Sequence, residues 1–244
     1  MKMRKMRILI LGCLWLCLAQ KSFAQEYEKW EGVWNAAFID VPLSDKLSLR
    51  SEIHLRTIDY FNVWNQQIFR PQLIYTDSNK FKWFAGYSYL SNFNSDINAD
   101  PRVRNEHNLW EQVVYTVPLK KSSLSTWIRL EHRFQEVLPL QKDRELRKFD
   151  FSSRIRFRFT YQRPLTNTAA KVPVNFVFYD ELFTLISPGG TPLKFNQNWT
   201  FFGLAIKLTS KLRINTGFQK NTIFKATDRY LKNRLWNTIL FYKL

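Results

Sequence analysis

A chain of 244 residues with 37 Lys and Arg against 20 Asp and Glu, a formal charge of +17, 16% aromatic residues and 2 cysteines holds one domain. It is too poor in thiols for a disulfide scaffold or a cysteine metal site. Beyond the N-terminus no stretch approaches 18 consecutive apolar residues, which excludes a helical membrane protein.

The first segment is an export signal. Met1 to Arg7 is a basic n-region, Ile8 to Leu18 is an apolar h-region too short to span a bilayer, and Ser22-Phe23-Ala24 offers small residues for cleavage before Gln25. Residues 1–24 therefore read as a signal peptide and 25–244 as one mature domain. Leu11-Gly12-Cys13 makes a poor lipoprotein site, because few apolar residues precede Cys13. Both cysteines, Cys13 and Cys17, leave with the signal. So do Lys2, Arg4, Lys5, Arg7 and Lys21, unaccompanied by any acid, which takes the charge from +17 to +12. A basic balance often means nucleic acid, but export argues against that partner. Anionic lipid head groups, lipopolysaccharide phosphates or an anionic solute fit better.

The mature chain alternates with a period of two. Trp30, Gly32, Trp34, Ala36 and Phe38 alternate with Glu31, Val33, Asn35 and Ala37 in a first, weaker strand, closed by a turn at Pro42 to Asp45. Leu47, Leu49, Ser51, Ile53 and Leu55 then interleave with Lys46, Ser48, Arg50, Glu52, His54 and Arg56. Phe69, Pro71, Leu73 and Tyr75 keep Arg70 and Gln72 on the other side; Trp83, Ala85, Tyr87 and Tyr89 follow the turn Asp77 to Lys80. Asn105 to Val117 sets Leu109, Val113 and Tyr115 against Glu106, Asn108, Gln112 and Thr116, and Ile128, Leu130 and Phe134 interleave with Arg129, Glu131, Arg133 and Gln135.

The clearest strand is Phe151 to Tyr161. Phe151, Ser153, Ile155, Phe157, Phe159 and Tyr161 occupy one face, and Arg154, Arg156 and Arg158 the other. Val174, Phe176 and Phe178 come next, with Asn175, Tyr179 and Glu181 opposite. Phe202 to Leu208 and Leu212 to Phe218 form a hairpin over Thr209-Ser210-Lys211, with Arg213 on the reverse face of its second strand. The last strand carries Trp236, Thr238, Leu240, Tyr242 and Leu244 on alternate positions.

Short turns at 42–45, 76–80, 118–123 and 209–211 alternate with longer loops at 57–65, 91–104, 136–147, 185–197 and 221–233; only 164–172 is intermediate. That asymmetry, with Trp and Tyr near strand ends, is the pattern of an outer-membrane barrel with short periplasmic turns and long extracellular loops. Closure also satisfies every backbone donor, as hydrocarbon demands. The expected fold is all-β, an antiparallel up-and-down transmembrane β-barrel of about ten to twelve strands. A secreted soluble barrel or sandwich would show the same alternation with its apolar face turned inward. Eleven candidates can be read, yet antiparallel closure with both termini in the periplasm needs an even number. Trp30 to Phe38 is left over: either it has a partner, making twelve, or it is no membrane strand.

Two constellations carry chemistry. The polar faces collect Arg50, Arg56, Arg70, Arg129, Arg133, Arg154, Arg156, Arg158 and Arg213 with Glu52, Glu106, Glu131 and Glu181. Plausible registers bring Glu131 near Arg154 or Arg156. In a lumen of this size the set is expected either to fill the interior as an ion-paired network, with His54 as a hydrogen-bonding member, or to line an anion-preferring pore. The second constellation is His107, Glu111 and His132. If the turn at 118–123 is symmetric, His107 lies opposite Phe134 and His132 opposite Leu109, so all three face outward. They suit head-group contact at the outer rim, or an outer-membrane lipid hydrolase in which an imidazole and a carboxylate activate a serine or water; the pattern places no serine beside them. There is no Walker motif, HExxH or GxSxG, so no catalytic residue, metal or cofactor is expected.

The segments Asn105-Glu106-His107-Asn108-Leu109-Trp110-Glu111-Gln112, Arg129-Leu130-Glu131-His132-Arg133-Phe134, Tyr179-Asp180-Glu181-Leu182-Phe183, Phe202-Gly203-Leu204 and Leu212 to Phe218 resemble the domain-of-unknown-function family numbered 2490 of Bacteroidetes-type bacteria. The likeness spans nearly the whole mature chain and departs from the family pattern at Asn108 and Leu244. It implies an outer-membrane β-barrel of a Gram-negative bacterium and supplies no activity. The expected partners are outer-membrane lipids and lipopolysaccharide, and the barrel-assembly machinery through the C-terminal strand.

Overall fold

The computed structural model describes residues 27–77, 80–94, 102–138, 148–167, 170–186, 194–226 and 229–244. Residues 1–24, expected to be a signal peptide, lie outside them, as do parts of the loops expected at 91–104, 136–147, 185–197 and 221–233. The described residues form eleven strands and no helix. These are β1 (Tyr27–Pro42), β2 (Leu47–Ile58), β3 (Val63–Thr76), β4 (Phe81–Asn92), β5 (Arg104–Leu119), β6 (Ser122–Val137), β7 (Lys148–Pro164), β8 (Val174–Ile186), β9 (Lys194–Lys207), β10 (Leu212–Ala226) and β11 (Arg229–Lys243).

Each strand pairs with its sequence neighbours, and β1 meets β11 to close the barrel. Ten junctions are antiparallel. The eleventh, β1 against β11, is parallel from Tyr27↔Tyr230 to Asp40↔Lys243. This resolves the parity problem. Trp30 to Phe38 is a wall strand, and the count is odd because the closing pair runs in one direction. With an odd count, the start of β1 stands at the end of the barrel carrying the connections after β2, β4, β6, β8 and β10, here the loop end. The end of β11 stands at the opposite, turn end, where Leu244 N donates to Asp40 O at 3.0 Å.

Two of the expected long loops are mostly strand. Residues read as the 221–233 loop continue the ladder through Asn221↔Asn233 and Phe224↔Tyr230, and those at 57–65 tighten to the connection between Ile58 and Val63. Lys, Asn and Arg in these stretches mimic loop composition. Pairing tolerates them because successive ladder steps alternate faces: Lys220 and Arg234 stand exposed on the outer wall, and Asn221 and Asn233 are buried inside. Asp59 and Tyr60, both at positive φ (49° and 56°), make the tight reversal that replaces the longer loop.

Inside and outside are set by side-chain alternation. Phe157 and Phe159 are 42% and 37% exposed on the outer wall, whereas Arg154 and Arg156 on the same strand are buried in the interior. Ile53, Leu55, Phe69, Leu73, Leu109, Ile128 and Phe202 are exposed in the same way. The soluble alternative, with the apolar face inward, is therefore not how this wall is built. β1 turns its aromatic face in, as β8 and β9 do with Tyr179, Phe183, Trp199 and Phe201, and Trp34 is buried with Phe183 and Trp199.

Candidate functional site in the barrel interior

Eleven strands enclose a space only slightly wider than opposed side chains. The arginines and glutamates singled out above meet at its waist. The β6/β7 register sets Glu131 against Arg154 and Arg129 against Arg156, and the β7/β8 register sets Arg158 against Glu181. Arg129 beside Arg156 would repel if isolated. Glu131, one step along, and Glu181, one strand across, interleave the charges instead.

Arg154 Nε donates to Glu131 Oε2 at 2.7 Å, and Arg156 Nη1 donates to Glu131 Oε1 at 2.7 Å. Arg129 Nη1 stands 3.7 Å from Glu131 Oε1. Arg156 reaches the other way as well, Nε to Glu181 Oε1 at 2.6 Å, and Arg158 binds Glu181 Oε2 through Nε at 2.8 Å and through Nη2. Arg156 thus bridges two carboxylates, each charge-assisted and inaccessible to water. Glu131 and Glu181 are 1% and 0% exposed, a burial these ions tolerate only because each is surrounded by guanidinium groups.

A second group fills the β2 to β5 side. Glu52 accepts from Arg70 Nη1 at 3.1 Å and Gln72 Nε2 at 2.5 Å, and lies 3.0 Å from His54 Nε2. Ser88 Oγ accepts from both Arg70 Nε (2.8 Å) and Trp110 Nε1 (2.9 Å). Gly86 is required beside them: a Cβ there would lie 2.4 Å from Trp110 Cζ2. Above and below the waist, Arg133 forks onto Glu106 (2.7 and 2.8 Å) and Arg50 onto Asp40 (2.5 and 2.8 Å).

Aromatic rings plate the guanidinium groups. Arg129 lies 3.9 Å over Trp110, Arg158 4.0 Å over Tyr179, Arg156 4.4 Å over Phe183 and Arg56 4.1 Å over Trp34. In a desolvated interior each such contact contributes on the order of 2 kcal/mol. Composition and spacing did not single out these plates or Asp40, because an apolar side chain on a strand looks the same whether it faces in or out. Alternation carries a signal: Tyr179 shares parity with Glu181, and Phe183 follows two residues later.

The waist divides the interior into two chambers. The turn-end chamber has a volume of about 320 Å³ and the loop-end chamber about 550 Å³. Trp34, Arg56, Arg70, Arg156 and Trp199 line both, so they form the partition. Among the described residues, the arginines at 50, 56, 70, 129, 133, 154, 156, 158 and 213 face the interior, against carboxylates at Asp40, Glu52, Glu106, Glu131 and Glu181, and Arg102 and Arg104 line the loop-end chamber as well. Arg56 and Arg213 have no carboxylate partner among the described residues. Arg56 Nη1 donates instead to Gln66 Oε1 at 2.5 Å, and Arg213 lies 4.0 Å over Phe241.

The two outward histidines have different hydrogen-bond partners. The β5/β6 register pairs His107 with Phe134 and Leu109 with His132. His107 Nδ1 meets Tyr87 Oη at 2.6 Å, whereas His132 Nδ1 stands 3.3 Å from Ser153 Oγ on β7. Glu111 is exposed and makes no hydrogen bond or ion pair to either imidazole among the described residues. Ser153 is the serine that the linear pattern does not place; the β6/β7 register brings it there. No group of three or more His, Cys, Asp or Glu among the described residues is arranged to hold a metal.

A family model described as protein of unknown function (DUF2490) matches residues 31–232, from β1 into β11. No curated protein and no solved structure matches the chain.

Proposed function

We propose, for a chain that belongs to the protein-of-unknown-function family DUF2490, that it is an integral outer-membrane barrel closed at its waist: a wall with two separate vestibules rather than an open pore. The observation that carries this reading is the bridge Glu131–Arg156–Glu181, which spans three strands at the level where the chambers meet. Support for the membrane comes from the apolar outer wall, from strands of 12 to 17 residues, longer than the roughly 9–11 that hydrocarbon requires, and from the export signal in residues 1–24. Unpaired arginines would select anions, but at the waist Arg154, Arg156 and Arg158 are each bound to a carboxylate.

Purified barrel reconstituted into planar bilayers in molar KCl is expected to give no steady unit conductance. A sustained ohmic current that drops when Arg154, Arg156 and Arg158 are neutralised would establish the anion-preferring pore instead. Separation of inner and outer membranes checks the location; recovery in the soluble periplasmic fraction would end the membrane reading.

A second reading is favoured by one observation, the 3.3 Å approach of His132 Nδ1 to Ser153 Oγ on the outer wall, where a lipid ester would lie. It makes the protein an outer-membrane lipid hydrolase. Ser153→Ala must then abolish phospholipid cleavage by the reconstituted protein; undiminished turnover in that variant removes the idea.

A further inference from the structure

The loop-end chamber holds an arginine that the ion-pair network does not use. Arg56 projects from β2 at the floor of this chamber, clamped over Trp34 at 4.1 Å with Trp199 at 5.3 Å. The two indoles meet edge to face with centroids 5.2 Å apart. Arg70, Arg133, Arg154 and Arg156, which line the same chamber, are each bound to a carboxylate, and Arg102 and Arg104 line it as well. Among the described residues, Arg56 is hydrogen-bonded to the amide of Gln66 and to no carboxylate.

Two donors on the partition have no acceptor: Arg56 Nε and the indole Nε1 of Trp34, a side chain only 6% exposed. A buried donor left unmade costs on the order of 1–3 kcal/mol, and a protein retains such a cost most readily where a ligand supplies the missing acceptor. Besides the charged side chains, the amides of Gln66, Asn108, Gln197 and Asn233 line the same chamber, and the carbonyl oxygens of Asn108 and Asn233 are also unpartnered among the described residues.

We infer that the loop-end chamber is a binding site for a small polyhydroxylated anion, an acidic or phosphorylated sugar. The carboxylate or phosphate accepts from Arg56 and Trp34, and the amides exchange hydrogen bonds with the sugar hydroxyls. A chamber of about 550 Å³ lies within the range that accommodates small molecules. The site rests on the closed waist proposed above, which gives the chamber a floor.

The test is calorimetric titration of the full barrel in detergent micelles with glucuronate, glucose 6-phosphate, glucose and inorganic phosphate. Glucuronate and glucose 6-phosphate bind at least about tenfold more tightly than glucose, and glucose 6-phosphate more tightly than phosphate. Arg56→Gln abolishes the preference for charge. Arg56→Lys keeps part of it, and Trp34→Phe, which retains a ring but removes the donor, weakens binding several-fold. Circular dichroism confirms that each variant is folded. Arg213→Gln, in the other chamber, leaves binding unchanged. The inference fails if no sugar acid binds, if glucose binds as well as glucuronate, if phosphate alone matches the phosphosugar, or if Arg213→Gln weakens binding as much as Arg56→Gln. Because titration in micelles is independent of conductance, a barrel that binds glucuronate but also passes current loses the closed-waist reading and keeps the site.

Discussion

At the scale of single residues, Glu131 gathers three of the interior arginines, since Arg129, Arg154 and Arg156 all approach its two oxygens. Removing its charge while keeping its shape isolates that role. Glu131→Gln leaves three guanidinium groups around a neutral amide, and the loss of a buried partner costs roughly 3–5 kcal/mol. Urea unfolding followed by tryptophan fluorescence is expected to move by that amount, and a shift under about 1 kcal/mol would mean that water already screens the network. Gly86→Ala acts by volume. Its new methyl lies 2.4 Å from the Trp110 ring that supports Arg129, so the ring must tilt, at about 1–3 kcal/mol. The arginines themselves were legible in the sequence, because three of them alternate with Ser153, Ile155, Phe157 and Phe159 and only a strand explains that spacing. Their partners were less so. Whether Glu131 meets one guanidinium or three depends on register across the β6/β7 junction, and register is fixed by turn geometry and packing that a linear pattern does not contain.

At the scale of elements, β7 divides the two environments most sharply, with Arg156 inside and Phe157 outside at adjacent positions. Phe157→Arg places a cation near the middle of the outer wall. If that wall faces hydrocarbon, folding into lipid vesicles becomes less favourable by about 2–4 kcal/mol; equal stability of the variant in vesicles would argue that β7 faces water or protein. Strands as clear as β2 and β7 could be read directly from alternation. β1 could not be read as easily, because Trp30, Trp34 and Phe38 resemble an outer face yet turn inward, where Trp34 joins Phe183, Trp199 and Leu235 in a buried cluster. The upper ends of β10 and β11 were hidden for the opposite reason: Lys220, Asn221, Asn233 and Arg234 have the composition of a loop, but their backbones remain paired.

At the scale of the whole molecule, the β1/β11 junction is distinctive in both direction and origin. It joins positions near opposite ends of the chain, such as Asn35 and Thr238. Cysteines at these two positions would close almost the entire barrel into one covalent loop, with no competing thiol between them, since Cys13 and Cys17 both precede β1. By loop entropy alone this cross-link stabilises the fold by about 5 kcal/mol, more than a bridge across any single hairpin. Unfolding with and without reductant measures the difference, and a gain no larger than that of a hairpin control would show that the junction is strained by the bridge.

Every other neighbouring pair in the wall is tethered twice, by its ladder and by the connection that links the two strands. β1 and β11 are tethered once, by slanted bonds of the weaker parallel kind. A cylinder made this way carries its own zip fastener: should the wall ever part sideways, this is the line along which it would come undone.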